Sequence, residues 1–358
     1  MELGVDTHKR SHVLVALDDE GRPLGTRTIP NAPDGWAEAL AWVREKQQQH
    51  RRWGIEDGGS WGKGFAQFLL AQGEAAVHEV SPQRTAQYRR RGRTQDKTDH
   101  ADAPAIARLL LAEGDHLPAI QRDDVSTELR LLSDHRDNRL VDRTRLINQL
   151  HAQMLQRDPR YEEQSGPLTQ AAGVRYCQAF APSPAAPLGQ TRLLIVRQLA
   201  ARILALMAEI KALTACLARR VAALDTPLGT LRGVGPVVAG RLLGELGCTP
   251  RVHSAAALAA LAGIAPIAVA SGGRQGHRVN FGGNRQLNRA IHIIALTQQR
   301  CEPLARAYYD KKRAEGKTAR AAMRCLKRRL VDVLFRLLRA GPQVSPAATM
   351  AVVAQGVP

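Results

Sequence analysis

The 358-residue chain carries 51 Lys and Arg against 33 Asp and Glu, a formal net charge of +18. That length allows two domains with a sizeable core, and the positive excess points to a polyanion, most simply nucleic acid. No apolar run is long enough for a membrane span and no signal-peptide pattern occurs, while five scattered cysteines without a C-x-x-C pair argue against a zinc site or a disulfide framework.

Residues Glu2 to Asp6 and His12 to Leu17 read as two strands, with Asp19-Glu20-Gly21 as a turn. Leu24 to Ile29 alternates apolar and polar residues as a third, antiparallel strand. Pro33-Asp34-Gly35 opens a helix carrying Trp36, Leu40 and Val43. Trp53 to Glu56 is a short buried strand, Phe65, Phe68 and Leu69 mark another helix, and Ala75 to Val80 is a last strand. A helix is expected from about Asp99 to Leu111. The order β-β-β-α-β-α-β-α is the ribonuclease-H-like arrangement.

Four acids in this segment carry the chemistry. Asp6 sits in the apolar run Leu3-Gly4-Val5, Glu56 ends Trp53-Gly54-Ile55, and Asp99 and Asp102 lie three apart. Residues three apart share a helix face. Two strand ends and one helix face can therefore bring four carboxylates together. Such a cluster repels itself unless cations neutralise it, and hard oxygens suit Mg²⁺ or Mn²⁺. Two such ions can clamp both oxygens of a phosphoryl displacement. Each acid has a plainer alternative. Asp6 can cap a strand end, Asp99 can be a helix N-cap, and Asp57 competes with Glu56. His8, His12 and His100 are read as supporting or surface residues rather than ligands. The basic run Arg84, Arg89, Arg90, Arg91, Arg93 and Lys97 precedes Asp99 and is read as a phosphate-binding loop, against the alternative of a solvated charge run.

Residues 126–157 read as a long polar helix and 158–190 as a loop-like connector. Val196, Ile203, Ile210, Leu217 and Leu224 then form a heptad seam, with Leu199, Leu206 and Leu213 as its alternate. A coiled coil is expected, either antiparallel with the preceding long helix or between subunits; a bundle helix within one chain is the equal alternative. Leu231 to Leu243 looks like a helix-hairpin-helix element. Gly233 and Gly235 would allow its turn, and backbone amides would hold a phosphate. A short helix over Ala255 to Leu261 leads to Gly263-Ile264-Ala265-Pro266. The basic, glycine-rich stretch around Ser271, Arg274 and Arg278 follows, then Gly282-Gly283-Asn284-Arg285. Helices are expected over about 287–300, 303–314 and 318–339, with a frayed tail at 341–358. The domains expected are 1–120, a helical spacer 121–226, and 227–340. The fold class is α/β followed by a mainly helical remainder.

The Asp, Glu and D-x-x-D pattern, the helical spacer and the G-I-A-P…S-G-G…G-N-R block together resemble the DEDD transposases of the insertion-sequence one-ten family, relatives of the pilin-gene invertases. The resemblance covers nearly the whole chain. It implies a RuvC-like domain whose carboxylates Asp6, Glu56, Asp99 and Asp102 hold Mg²⁺. It further implies a second domain whose serine, here Ser271, attacks the DNA backbone and forms a covalent protein–DNA intermediate. Some members use an element-encoded structured RNA to choose donor and target DNA. Recombination of two duplexes implies a homo-oligomer, dimer or tetramer, in the bacterial cytoplasm and on the nucleoid when DNA-bound. Arg84, Arg89, Arg90, Arg91, Arg93, Lys97, Gly233, Gly235, Arg274, Arg278 and Arg285 would contact nucleic acid. A Holliday-junction resolvase or simple nuclease using water is the first alternative. A non-enzymatic nucleic-acid-binding protein is the second.

Overall fold

In the computed structural model, which describes residues 1–46, 50–91, 102–156, 158–179, 189–247, 252–271, 274–278, 280 and 282–340, the first five strands form one mixed sheet. Strands β1 (Glu2–Thr7), β2 (Ser11–Leu17) and β3 (Pro23–Pro30) meander antiparallel. Strands β4 (Arg52–Glu56) and β5 (Ala76–Val80) add in parallel on the other side of β1, giving the order β3-β2-β1-β4-β5. This mixed sheet with a mostly helical remainder fits a ribonuclease-H-like domain plus a helical region.

Side chains alternate across a strand, so each strand feeds two layers. Leu3, Val5, Leu14, Trp53 and Ile55 pack on one face with Leu40 of α1 (Pro33–Arg44) and Phe65 and Leu69 of α2 (Lys63–Ala71). His12 is buried, its ring 5.7 Å from that of Phe65, and burial pushes its pKa down, which favours a neutral core histidine. The other face receives α4 (Asp102–Glu113), flanked by α3 (Pro82–Arg91). The expected basic loop is thus helical as far as Arg91. Arg93, Lys97, Asp99 and His100 lie outside the described residues.

The contact between β1 and α4 depends on two glycines. Gly4 and Gly54 are register partners on β1 and β4. A Cβ on Gly4 would stand 2.1 Å from the Ala103 carbonyl oxygen and 2.5 Å from the Ala107 nitrogen. A Cβ on Gly54 would meet Ile106 at 3.0 Å. The absent side chains let helix backbone lie directly on strand backbone, and Ala103 and Ala107 close the contact.

The chain divides into two compact units, residues 1–123 and the remainder from Asp124 on. The second unit is built on α5 (Val125–Leu155), capped by Asp124, whose carboxylate accepts from the Ser126 and Thr127 amides. It runs antiparallel to α8 (Gly189–Ala222): Glu128 pairs with Arg220, and Arg136 Nε donates to Thr214 at 2.8 Å. All five residues of the expected seam are buried. Ala200 and Val221 join them, whereas Leu199 and Leu213 are half-buried. The partner of this seam is a helix of the same chain.

Two short helices, α6 (Tyr161–Ser165) and α7 (Ala171–Ala179), occupy part of the expected connector. Tyr161, Val174 and Cys177 cover Leu150 and Ile203 at the far end of the helix pair. At the near end Leu129, Leu217 and Val221 share a core with α9 (Pro236–Leu246), α10 (Ala255–Leu261), α11 (Arg285–Cys301) and α13 (Ala319–Ala340). Helix α12 (Pro303–Ala314) packs against α11 and α13. Arg241 of α9 is buried among Asp134, Asp137 and Glu245, the last two at 3.1 Å. The basic, glycine-rich stretch forms a hairpin, β6 (Ile267–Ser271) against β7 (Arg274–Arg278), with Ser271 paired to Arg274. Among the described residues no helix is long and apolar enough to cross a membrane. The tail from residue 341 lies outside the described residues.

Candidate active site

Asp6 and Glu56 occupy equivalent places on neighbouring parallel strands. Each stands two residues beyond one of the paired glycines, as Gly4-Val5-Asp6 and Gly54-Ile55-Glu56. Both therefore project from the face that carries α4, past the point where the helix touches the sheet. Asp102 is the first residue of α4, so the same glycine contact that docks the helix brings its N-terminus to these strand ends. The Thr7 hydroxyl donates to the Glu56 carbonyl at 2.8 Å and ties the two strand ends together.

The electrostatics record this convergence. The Glu56 carboxyl is pushed above its ordinary range, first by burial and then by the negative charges of Asp6 and Asp102. A hydrogen bond from Thr85, buried on α3, and the charge of Arg89 oppose the shift. Asp6 is 3% exposed, and His8 Nε2 stands 3.4 Å from its Oδ2. Like charges brought to one place favour the arrival of a cation. Asp57, the rival of Glu56, begins the following turn with φ +51, off the strand.

Asp99 lies outside the described residues. Among those described, no group of three or more His, Cys, Asp or Glu side chains stands in metal-holding geometry. The donor chemistry nevertheless suits one class of ion. Asp6, Glu56 and Asp102 offer hard carboxylate oxygens, with no thiolate among them, which favours Mg²⁺ or Mn²⁺ over softer metals. One positive charge already stands there, because Arg89 is ion-paired with Asp102.

The other expected contact residues fall into three groups. Arg84 is ion-paired with Glu113, which also accepts from the Tyr88 hydroxyl at 2.5 Å; with Arg89 it thus anchors α3 to α4. Arg90, Arg278 and Arg285 are exposed, and Arg91 and Arg274 lie on α3 and β7. Gly233, with φ +96, backs onto Ile294 and Thr297 of α11, and Gly235 is the N-cap of α9. What precedes these glycines is a four-residue 3-10 turn, Pro227–Thr230, and not a full helix.

Ser271 ends β6 in the second unit. The foot of its hairpin is fixed by backbone contact. A Cβ on Gly283 would stand 2.2 Å from the Gly263 nitrogen, and the Asn284 amide donates to the Leu261 carbonyl at 2.6 Å. Asn284 also caps α11 and donates to Glu245 at 2.7 Å. The G-I-A-P and G-G-N-R motifs thus grip each other below the two strands.

Two family models match separate parts of this chain. One, a DEDD transposase model of the IS110 type, spans residues 3–159 and so takes in the whole acid cluster. The other, described as transposase of the IS116/IS110/IS902 family, spans residues 225–310 and includes the serine hairpin. The chain belongs to the IS110 family of DEDD transposases. Similar proteins come from insertion elements. The 44.8 kDa protein of IS116 from Streptomyces clavuligerus is 28% identical over 96% of both chains. The 42 kDa protein of IS900 from Mycobacterium paratuberculosis is 27% identical over 97% of this chain and 98% of its own. The 43.6 kDa protein of IS110 from Streptomyces coelicolor is 29% identical over 68% of this chain and 71% of its own. A transposase of this family binds DNA, cuts it and rejoins it.

Sequence reasoning did not single out Gly4, Gly54 or Thr85. The glycines had a legible signal, since the spacing glycine, apolar residue, acid occurs on both strands. Thr85 had none: a threonine in an arginine-rich stretch gives no sign that it will be buried beside Glu56.

Proposed function

We propose that this transposase is a metal-dependent DNA recombinase with a serine nucleophile. Asp6, Glu56, Asp99 and Asp102 would hold Mg²⁺ or Mn²⁺, and Ser271 would attack the scissile phosphodiester. The observation that carries the reading is the placement of Asp6 and Glu56 at the carboxyl ends of the neighbouring strands β1 and β4, on the face against which α4 packs with Asp102 as its first residue. Bound divalent ions supply charge neutralisation and polarisation of the phosphoryl oxygens.

The chain's own residues do the rest. The Ser271 hydroxyl gives up its proton as its oxygen bonds to phosphorus. The bond from phosphorus to one bridging sugar oxygen breaks, and that oxygen leaves as a hydroxyl. Rejoining reverses the step: a sugar hydroxyl attacks the phosphoserine linkage, a new phosphodiester forms, and the serine is regenerated. The number of phosphoester bonds is conserved throughout, so no nucleotide hydrolysis is required. The chain has no G-x-x-x-x-G-K-[ST] motif.

The net charge of +18 is ample for both DNA and an element-encoded guide RNA. The same reading places a dimer or tetramer in the bacterial cytoplasm, on the nucleoid when DNA-bound. The test is trapping of a covalent protein–DNA adduct in the presence of Mg²⁺. An adduct formed by the native chain and absent from Ser271→Ala supports the reading. Metal-dependent cleavage without any adduct would assign water as the nucleophile, as in a resolvase. Sequencing of RNA that co-purifies with the protein tests the guide.

A further inference from the structure

A pocket of about 520 Å³ opens at the foot of the serine hairpin, lined by residues of the Gly263–Pro266 segment, α11, α12 and α13. That size suits a small ligand group. Lys327 of α13 lines it, and this residue is only 7% exposed. Its ammonium donates to Asn288 Oδ1 at 2.6 Å. The Asn288 amide donates to the Ala262 carbonyl at 2.7 Å, which turns Oδ1 toward the lysine. Among the described residues no carboxylate is ion-paired with Lys327.

A buried ammonium without a counter-ion is costly. Burial, with the charge of Arg324 adding, holds Lys327 down to about 8. The fold adds more positive charge instead of relieving it. Arg324 and Arg329 from α13, Lys317 before it and Arg278 from β7 surround the opening, all four exposed. Arg328 also lines the pocket but is paired with Asp332 at 2.6 Å. Tyr308 of α12 presents its ring, with the Arg329 guanidinium 5.9 Å from the centroid, and His292 of α11 is lowered by burial and by the charge of Lys327. A phosphate group would offset this repulsion, and its oxygens would meet donors already oriented toward the pocket.

We propose that this pocket is a phosphate-binding site that grips one backbone phosphate of the DNA strand entering the serine hairpin. The entry path rests on the reading of Ser271 given above; the phosphate grip rests on the pocket. Pro266 lines the pocket and directly precedes β6, and Ser271 ends that strand. Strand rises of about 3.3 Å put the Ser271 backbone roughly 16 Å along the ribbon from Pro266, about five steps of B-form duplex. A phosphate fixed at the foot would set which phosphodiester reaches the far end.

The experiment measures binding of the full-length protein to a labelled DNA duplex across a series of KCl concentrations, without divalent ions. Lys327→Met and Arg324→Gln should each weaken binding roughly five- to tenfold and lower the salt slope by about 0.9. Arg22→Gln, at an exposed ion pair in the first unit, should leave the slope unchanged. Acylation of Lys327, read by peptide mass spectrometry, should be suppressed by the duplex. Arg324 is exposed, so its variant tests the proposal even if Lys327→Met fails to fold. Unchanged slopes in the folded variants, with Lys327 acylation indifferent to DNA, would overturn it. Protection by RNA but not by DNA would also overturn it. No cleavage occurs in this assay, so failure of the Ser271 chemistry would leave its outcome untouched.

Discussion

The carboxylate cluster of the first unit rests on a sheet–helix contact with no spare room, whereas the serine of the second ends a two-stranded ribbon gripped at its foot. Gly4 and Gly54 bring α4 onto the strands, so Asp6, Glu56 and Asp102 are placed by backbone contact. Gly263 and Gly283 do a similar job for the hairpin, but at its foot, on the far side of β6 from Ser271. The difference teaches that the two halves of the proposed chemistry are specified differently. An acid cluster must hold like charges together before any ion arrives, which calls for a stiff support. A short two-stranded ribbon has little independent stability, so what binds along it helps to position its end.

The strongest way to break this comparison is to remove an acid. Asp6→Asn and Asp102→Asn should each lower Mg²⁺-dependent strand cleavage on the order of a thousandfold while DNA binding survives. Cleavage at native rates in either variant would remove the acids from the chemistry. The second unit has its own rigid point in Arg241. Arg241→Met would leave Asp134, Asp137 and Glu245 without their shared cation. A loss of about 3 kcal/mol in denaturant unfolding is expected, and an unchanged midpoint would show that the network adds no stability.

Gly4→Ala sharpens the comparison, because its Cβ would press on the Ala103 carbonyl. It should cost about 2 kcal/mol and cut cleavage as α4 is displaced. Gly229→Ala, with nothing within 4 Å, should stay within about 0.5 kcal/mol on the same thermal melts. Gly283→Ala addresses the hairpin foot. It should lower the yield of the Ser271 adduct about tenfold, a loss of roughly 1.4 kcal/mol, without shifting the melting of the first unit.

The smallest effect concerns pH. Lys327 holds its proton below about 8 in the folded chain, against 10.5 for an ordinary lysine. Its grip on phosphate should therefore weaken as pH rises from 7 to 9, by a few-fold in DNA affinity. Lys327→Met should lose that component of the pH dependence. Folding stability should move the opposite way. Between about 8 and 10.5 the unfolded chain binds the proton that the folded chain has released, so this residue's contribution makes stability rise with pH. Denaturant titrations across that window measure the sign directly.

Much of the first unit was legible because its signals are local. Short apolar runs marked β1 and β2, period-two alternation marked β3, and acids at strand ends stood out against the apolar runs. The stretch around Ser271 has no alternation to mark its strands, since Ile267 to Ser271 is almost wholly apolar and Arg274 to Arg278 polar, so their pairing as a hairpin shows only in the fold. The connector after α5 hid α6 and α7, whose few apolar residues become informative only against Leu150 and Ile203. In the arginine run, charge pointed to phosphate contact but gave no sign of the ion pairs that Arg84 and Arg89 make with Glu113 and Asp102.

The sequence by itself determined the order of the strands and main helices, the acidic spacing, the buried seam of α8 and the positive excess. These are periodicities and totals, written in neighbours along the chain. Only the tertiary structure decided that Gly4 and Gly54 form one helix seat, that Thr85 is buried beside Glu56, and that Lys327 lies within a ring of cations. Each of these depends on residues far apart in the chain, whose burial and charge take effect only once folding has placed them side by side.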